Sequence, residues 1–360
     1  MSGIDELIAR LAPDGVPFQR VGDILSVRVT GRGVNRQAYC EGSRIPIVDQ
    51  GQTLIAGYTD DNALAISDGP YIVFGDHTRA IKWVDFNFAV GADGTKVLEA
   101  RAGLLPKYLY YAMANLTIPS RGYNRHWTIA RDMRIPVPPR EVQAEIVRIL
   151  DSFQELEAEL EAELEARRAQ YAHYRSRTLQ VAEAPRAPLG DLITLRFGTR
   201  ITRANSLGTM YPVYGGGGES FRTDAYNRDN EWVVSRFAMS ANCVRRVPGK
   251  FWMLDSGFTF DVAGDLVDKD YVGQALLAMQ PVIFATSTQS AQKNIDVGGF
   301  KRLEIPLPPI EEQRRIASTL DSFDALVNDL SSGLPAEIAA RRQQYEHYRD
   351  RLLTFEEARA

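Results

Sequence analysis

The 360-residue chain holds only two cysteines, Cys40 and Cys243, far apart in dissimilar segments. That scarcity excludes a disulfide framework, and two reduced thiols in a cytoplasmic protein are the expectation. No apolar run approaches the roughly 20 residues that a membrane-spanning helix needs, and the opening MSGIDELIAR does not read as a secretory leader. Histidine is rare too, four in all. Two of them, His173 and His347, recur in a shared YxHYR phrase. Neither has a second ligand four residues on, so a packed or hydrogen-bonding role is expected in place of a metal site.

Catalytic signatures are missing as well. There is no GxxxxGK[ST] phosphate loop; YGGGGES (Tyr214 to Ser220) lacks the lysine and reads as a turn. No glycine loop of the adenosylmethionine-binding kind stands out, and PVPP and PLPP lack the polar residue and aromatic of an amino-methyltransferase motif. DGTKVLEAR (Asp93 to Arg101) is too loose for a nuclease's acidic pair and lysine, and no spacing of Ser, His and Asp marks a triad. A self-sufficient DNA-modifying enzyme therefore has no visible chemistry.

What the chain does have is a repeat. IPVPPREVQAEIVRILDSF (Ile135 to Phe153) is matched by IPLPPIEEQRRIASTLDSF (Ile305 to Phe323), and RRAQYAHYR (Arg167 to Arg175) by RRQQYEHYR (Arg341 to Arg349). The prolines keep the chain extended until the last of them, which suits a first helical position. Acidic residues follow at once, where the helix dipole favours them. Apolar positions then step by 4, 3, 4, 3, 4, 4 through Val142, Ile146, Ile149, Phe153, Leu156, Leu160 and Leu164. Ile316, Leu320, Phe323, Val327, Leu330, Leu334 and Ile338 do the same. This is a heptad seam with one late slip, and near-identical long helices in both halves predict mutual packing. The expected pairing residues are Ile146, Phe153, Leu160 and Tyr171 with Ile316, Phe323, Leu330 and Tyr345. The first helix is expected from Glu141 to Leu179; SSGLP (Ser331 to Pro335) is expected to kink or break the second.

Such a length suggests more than one domain. The expected division is residues 1–135, a helical region at 136–183, a second domain at 184–304, and a distal helical region at 305–360. The two non-repeated segments share an opening (VGDILSVR, LGDLITLR), short β-rich runs such as PYIVFG and WVVSRFAM, and a late helical stretch (PKYLYYAMANL, YVGQALLAMQ). The fold class is α+β: two mixed domains separated by two long helices that pair as an antiparallel coiled coil.

The net charge of −4 is unevenly placed. Residues 1–135 carry 15 Lys+Arg against 14 Asp+Glu, and 185–304 carry 14 against 12. Residues 136–184 carry 6 against 10, and 305–360 carry 7 against 10. The acidity belongs to the repeats, so a nucleic-acid role for the other segments survives. Their loops are rich in groups that pair with phosphates and base edges. In the first domain these are Arg28, Arg32 and Arg36 of RVTGRGVNR, His77 and Arg79 of GDHTR, and Arg121, Asn124 and Arg125 of SRGYNRHW. In the second they are Arg200 and Arg203 of GTRITR, Arg236 and Asn242 of SRFAMSANCVRR, and Gln289, Gln292 and Lys293 of TSTQSAQKN.

The arrangement resembles the specificity subunits of type I restriction–modification systems over nearly the whole chain. The doubled PxPP opening, LDSF and RRxQYxHYR carry the resemblance, with GDHTRAIKWVDFNFAVGADG and FWMLDSGFTF beside them. The first opening departs slightly, with Val142 before Gln143 where the second copy has Glu312 before Gln313. The resemblance implies two target recognition domains, each reading half of a split site in double-stranded DNA. It implies that the helices set the distance between half-sites and dock two methyltransferase subunits, with restriction subunits joining them. No cofactor is expected on this chain; adenosylmethionine, Mg and ATP are implied for the partners. Two other readings remain: a protein-only coiled-coil scaffold, which leaves the dissimilar polar-loop domains unexplained, and a modifying enzyme, which lacks a motif.

Overall fold

A computed structural model of the protein describes residues 2–42, 44–91, 94–122, 124–177, 184–205, 208–216, 218–237, 242–288, 294–328 and 333–358. The chain divides into two compact units, Met1–Glu159 with Ala339–Ala360, and Leu160–Ile338.

In the first unit, the PYIVFG run forms the strand Tyr71–Gly75, buried along its whole length. A strand covered on both faces reads as a continuous apolar run, with no alternation. It pairs antiparallel with Ile81–Val84 and Thr95–Ala100, the latter with Leu25–Val27. A second four-stranded sheet is built from Gly57–Thr59, Ile45–Val48, Phe88–Val90 and Ala65–Ile66. The helix Pro106–Ala114 starts on a proline at its first turn, where the missing N–H costs nothing. It shares a core of Ile72, Phe74, Leu98, Tyr108, Leu109 and Met113 with the first sheet. The second unit carries one six-stranded sheet among the described residues, with Arg228–Ser235 and Val244–Met253 inside it. The helix Lys269–Ala278 packs on it through Tyr271, Val272, Ala275 and Leu276.

Each domain is closed by the same two-stranded brace: Phe18–Arg20 with Arg134–Pro136, and Arg186–Pro188 with Glu304–Pro306. From the brace, the repeated helix begins, and a buried glutamine fastens it. Gln143 accepts from the Leu105 N–H at 3.1 Å and donates to the Pro138 carbonyl at 2.8 Å. Gln313 accepts from the Asp268 N–H at 2.9 Å and donates to the Pro308 carbonyl at 2.8 Å and the Leu266 carbonyl at 3.0 Å. A carboxamide is the one side chain whose single head both accepts and donates twice. The tyrosine hydroxyls do parallel work, Tyr108 donating to Pro136 O (2.9 Å) and Tyr271 to Pro306 O (2.8 Å). The aspartates of LDSF dock further along: Asp151 accepts from the Tyr111 hydroxyl (2.5 Å), Asp321 from the Gln274 amide (2.8 Å). Burial and the Asp151 bond push the Tyr111 hydroxyl far above its ordinary pKa, so it stays a donor.

The helices pair across the repeat. In the first unit, the Phe153 ring lies 6.4 Å from that of Tyr345 and 5.3 Å from that of Tyr348. One turn on, Arg342 donates to Glu157 at 2.5 Å. Numbers rise on one helix as they fall on the other, so these segments run antiparallel. In the second unit, Phe323 faces Tyr171 at 6.5 Å and Tyr174 at 5.4 Å, the same residues of the opposite copies. Each phenylalanine of LDSF therefore meets the two tyrosines of the other copy's YxHY.

The first helix runs Arg140–Arg177, 38 residues, or about 57 Å; Thr178 and Leu179 of the expected span lie outside the described residues. The second copy consists of two helices, Ile310–Asn328 and Leu334–Leu352. Among the described residues the second of these helices is preceded by Gly333 of the SSGLP phrase, which disfavours helix, and Pro335 sits in its first turn, where proline is tolerated; Ser331 and Ser332 lie outside the described residues. Leu330, expected in the seam, lies outside the described residues. Leu160, Leu164 and Tyr171 are buried, as are Leu320, Val327, Leu334 and Ile338. One correction concerns the start of the seam. Ile146 does not serve helix pairing alone: with Val142 and Leu150 it enters a core shared by Tyr108 and Leu109 of the domain and Leu352 of the last helix. Ile316 likewise packs against the core of the second domain. A helix that leaves its domain tangentially must give its first turns to that domain.

Two outcomes follow. Asp151→Ala leaves the Tyr111 hydroxyl its second acceptor, Gln154 Oε1 at 3.0 Å, and should cost about 1 kcal/mol in denaturant unfolding, whereas Tyr111→Phe, which removes both bonds, should cost at least as much. A fragment of residues 1–183 contains Phe153 together with Tyr171 and Tyr174. Two copies can then make between them the contacts that the intact chain makes between repeats, in a closed two-fold arrangement. Sedimentation should show a dimer that Phe153→Ala weakens; a strictly monomeric fragment at high concentration would count against this pairing.

Candidate nucleic-acid interface

Four loops of the first unit are tied together by backbone and short polar side chains. Gln50 accepts from the Thr78 hydroxyl through its carbonyl and from the His77 N–H through its side chain at 3.2 Å. The Asp76 N–H donates to the Gly94 carbonyl at 2.7 Å. Gly94 sits at φ +69°, and a Cβ there would lie 2.6 Å from His77 Cδ2, so only glycine lets the loops approach. Arg79 adopts φ +63° and donates to the Ile118 carbonyl at 2.9 Å. That bond joins the GDHTR turn to the segment entering SRGYNRHW.

His126 completes the junction and is wholly buried. Its backbone N–H donates to the Asp76 carbonyl at 2.8 Å, and its Nδ1 lies 2.9 Å from the same oxygen. Its Nε2 accepts from the Arg121 N–H at 3.0 Å. The two partners assign the tautomer: a carbonyl needs a proton on Nδ1, and an N–H needs a lone pair on Nε2. The Asp76 carboxylate accepts from the Trp127 N–H (2.7 Å) and lies 3.6 Å from Lys96 Nζ. Lys82 Nζ donates to the Asp49 carbonyl at 2.7 Å, and burial lowers its pKa against the pull of the Asp49 carboxylate.

Five of the expected DNA-facing residues meet here: His77 and Arg79 on one turn, Arg121, Asn124 and Arg125 on the next. Asn124 donates to the Arg121 carbonyl at 2.5 Å. Arg125 is exposed and makes no ion pair among the described residues. Arg28 does not join them. Its guanidinium donates to Glu99 and to the Tyr71 hydroxyl, both at 2.7 Å, and the Glu99 bond raises its pKa. Arg32 and Arg36 are exposed, the latter in a short turn at Arg36–Ala38.

In the second unit, Arg200 is exposed, whereas Arg203 donates to the Ser220 carbonyl at 2.8 Å and approaches the Phe221 ring. Arg236 follows the strand Arg228–Ser235, the position Asp76 holds after Tyr71–Gly75, and the Ile295 N–H donates to its carbonyl at 2.9 Å. Arg236 Nε, Ser287 Oγ and Asn294 Oδ1 are buried without a hydrogen-bond partner among the described residues. Asn242 is exposed beside the buried Cys243. Gln289, Gln292 and Lys293 lie outside the described residues. Arg245 was not among the expected residues; it donates to the Gly215 carbonyl (2.9 Å) and Ser235 Oγ (3.3 Å), and burial lowers its pKa.

Gln50, Asp76 and His126 also escaped the sequence reading as members of a site. Two of them stand inside quoted phrases, but nothing in the spacing tells a buried histidine from a surface one. The exposed surface of these loops offers guanidinium and carboxamide donors, the chemistry that grips phosphates and base edges. No group of three or more His, Cys, Asp or Glu side chains gathers as a metal site among the described residues. No helix among them is long and apolar enough to cross a membrane.

Comparison with known proteins finds one family model matched twice. Residues 13–166 and 187–340 each match the type I restriction modification DNA specificity domain. The chain is 29% identical over 387 residues to the Escherichia coli type I restriction enzyme EcoR124I/EcoR124II specificity subunit, covering 89% of this chain and 90% of that one. It is 26% identical over 339 residues to a putative type I restriction enzyme specificity subunit, S.HindORF215P, of Haemophilus influenzae, covering 84% and 86%. The crystal structure of a type I restriction-modification system S subunit from M. genitalium shares the fold, with a TM-score of 0.66 at 14% identity over 94% of this chain and 96% of that one. Each matched stretch takes in one recognition domain and most of the helix that leaves it, and with both halves so matched the chain belongs to the type I restriction modification DNA specificity family.

Proposed function

We infer that this chain is the DNA-reading specificity subunit of a type I restriction–modification complex, and that it performs no catalysis itself. The observation that carries this reading is the duplication: two domains with dissimilar polar loops, each fastened to its own copy of one repeated helix by an equivalent buried glutamine. A scaffold made only for protein contacts has no use for two different loop sets on one repeated frame.

In this reading, residues 1–135 and 184–304 each recognise one half of a bipartite target. Residues 136–183 and 305–360 pair to set the spacer and to dock two methyltransferase subunits, with restriction subunits added to the complex. Adenosylmethionine for adenine methylation, Mg and ATP act on those partners, in the cytoplasm. The charge layout supports the division, because excess acid on the helices is unsuited to phosphate contact and leaves that task to the domains.

Exchanging residues 22–134 for the matching domain of another specificity subunit should change one half-site and leave the other. Mapping of methylated adenines reads the result, and a change in both halves would overturn the division of labour. Among the arginines, Arg125→Ala and Arg200→Ala should act on DNA and leave the fold intact. A base contact costs about 1–3 kcal/mol of binding and relaxes one position. A phosphate contact weakens all sequences and flattens the salt dependence by about one unit of slope. Arg28→Ala should instead lower unfolding stability by about 1 kcal/mol through loss of the Glu99 and Tyr71 bonds, with half-site preference unchanged.

A further inference from the structure

Among the described residues of Ser120–Arg125, few bonds internal to the loop hold it. Its described internal bonds are Asn124 to the Arg121 carbonyl and a 3.4 Å bond from the Gly122 N–H to Ser120 Oγ, with Gly122 at φ +68°. What closes it is His126. The backbone of His126 anchors the end of the loop to the Asp76 carbonyl, and its Nε2 reaches back to the N–H of Arg121 at the start. Because Nδ1 points at the same Asp76 carbonyl, one buried ring links the SRGYNR loop to the GDHTR turn. Those are the two segments that carry His77, Arg79, Arg121, Asn124 and Arg125.

We propose that His126 is a positioning residue for recognition of the first half-site, acting as a neutral imidazole that holds both loops in one arrangement. This rests on the reading that the first domain's loops contact DNA. The physical reason is preorganisation. Arginine forks discriminate bases only when their backbone is held, and a loop ordered before binding loses less entropy on binding. An imidazole suits the place because it is rigid, apolar on its faces, and donates at one edge while accepting at the other. The charged groups near it are Asp76 and Lys96, already paired, and Arg121 and Arg125 on the loop. The second domain does without an imidazole: there the Ile295 N–H meets the Arg236 carbonyl, and Asp296 caps the following turn through Gly298 and Gly299. The effect of His126 therefore belongs to one half-site.

The test uses the full chain with its methyltransferase partner and a duplex bearing the bipartite site read from the adenines that complex methylates. Two further duplexes carry one scrambled half-site each, and binding ratios report how strongly each half is read. His126→Asn keeps a donor near Nδ1 but has no acceptor at the Nε2 position; it should reduce discrimination at the first half-site by about tenfold or more, with the second unchanged. His126→Gln, whose carboxamide oxygen reaches towards the Arg121 N–H, should recover most of that loss. Retained discrimination in His126→Asn, equal loss at both half-sites, or no difference between Asn and Gln would each overturn the proposal. Arg79→Ala and Arg125→Ala serve as controls. If they too leave both ratios unchanged, the assignment of these loops to DNA fails; if they lower the first ratio while His126→Asn does not, only the role of His126 fails.

Discussion

Everything outside the two domains depends on a buried carboxamide, present twice. Gln143 and Gln313 are almost fully enclosed, 2% and 0% exposed, at the point where an extended proline segment turns into helix. Such a turn leaves backbone donors and acceptors without partners inside the protein, each costing about 1–3 kcal/mol if unmet. One glutamine head satisfies an N–H of the domain and a carbonyl of the proline segment together. The helix is thereby fixed to its domain in direction as well as position. No apolar side chain can do this, and asparagine is too short to span the same groups.

From that anchor the rest of each helix is arranged for the other copy. Tyr108 and Tyr271 seal the brace, and Asp151 and Asp321, about three turns along their helices, hold them against the domain. Phe153 and Phe323 then present their rings to the tyrosines of the opposite repeat. The two copies use different donors at the aspartate, a tyrosine hydroxyl in one and a glutamine amide in the other, yet the acceptor is unchanged. Chemistry at the helix is kept while chemistry at the domain is free to vary.

The recognition domains show the complementary pattern. Their frames are covered strands and packed helices, while the polar groups sit in loops held by a few specific bonds. After equivalent strands, the first domain places Asp76 and the second Arg236, so the loop junctions are built on opposite charges. In the first, a buried histidine and a paired carboxylate lock the loops. In the second, buried polar atoms of Arg236, Ser287 and Asn294 stay without partners among the described residues, and backbone bridges do the closing.

Much of this was legible in the chain. Repetition exposed the duplicated unit, apolar spacing marked the helices, and Gly and Pro in SSGLP marked the interruption. Those are local properties, set by the 3.6-residue period and by which residues a helix tolerates. The same text gave no partner for Gln143, Asp151 or Tyr111, because a hydrogen bond across some 40 residues leaves no trace in spacing. It also placed Arg28 among the candidates beside Arg125, when one is consumed by Glu99 and Tyr71 and the other faces solvent. His126 stood among surface residues in SRGYNRHW and turned out to be the most enclosed of them. The sequence alone determined that there are two reading domains on one repeated helical frame; only the tertiary structure decided which polar side chains hold the loops and which stay exposed, since that depends on what long-range folding brings within 3 Å.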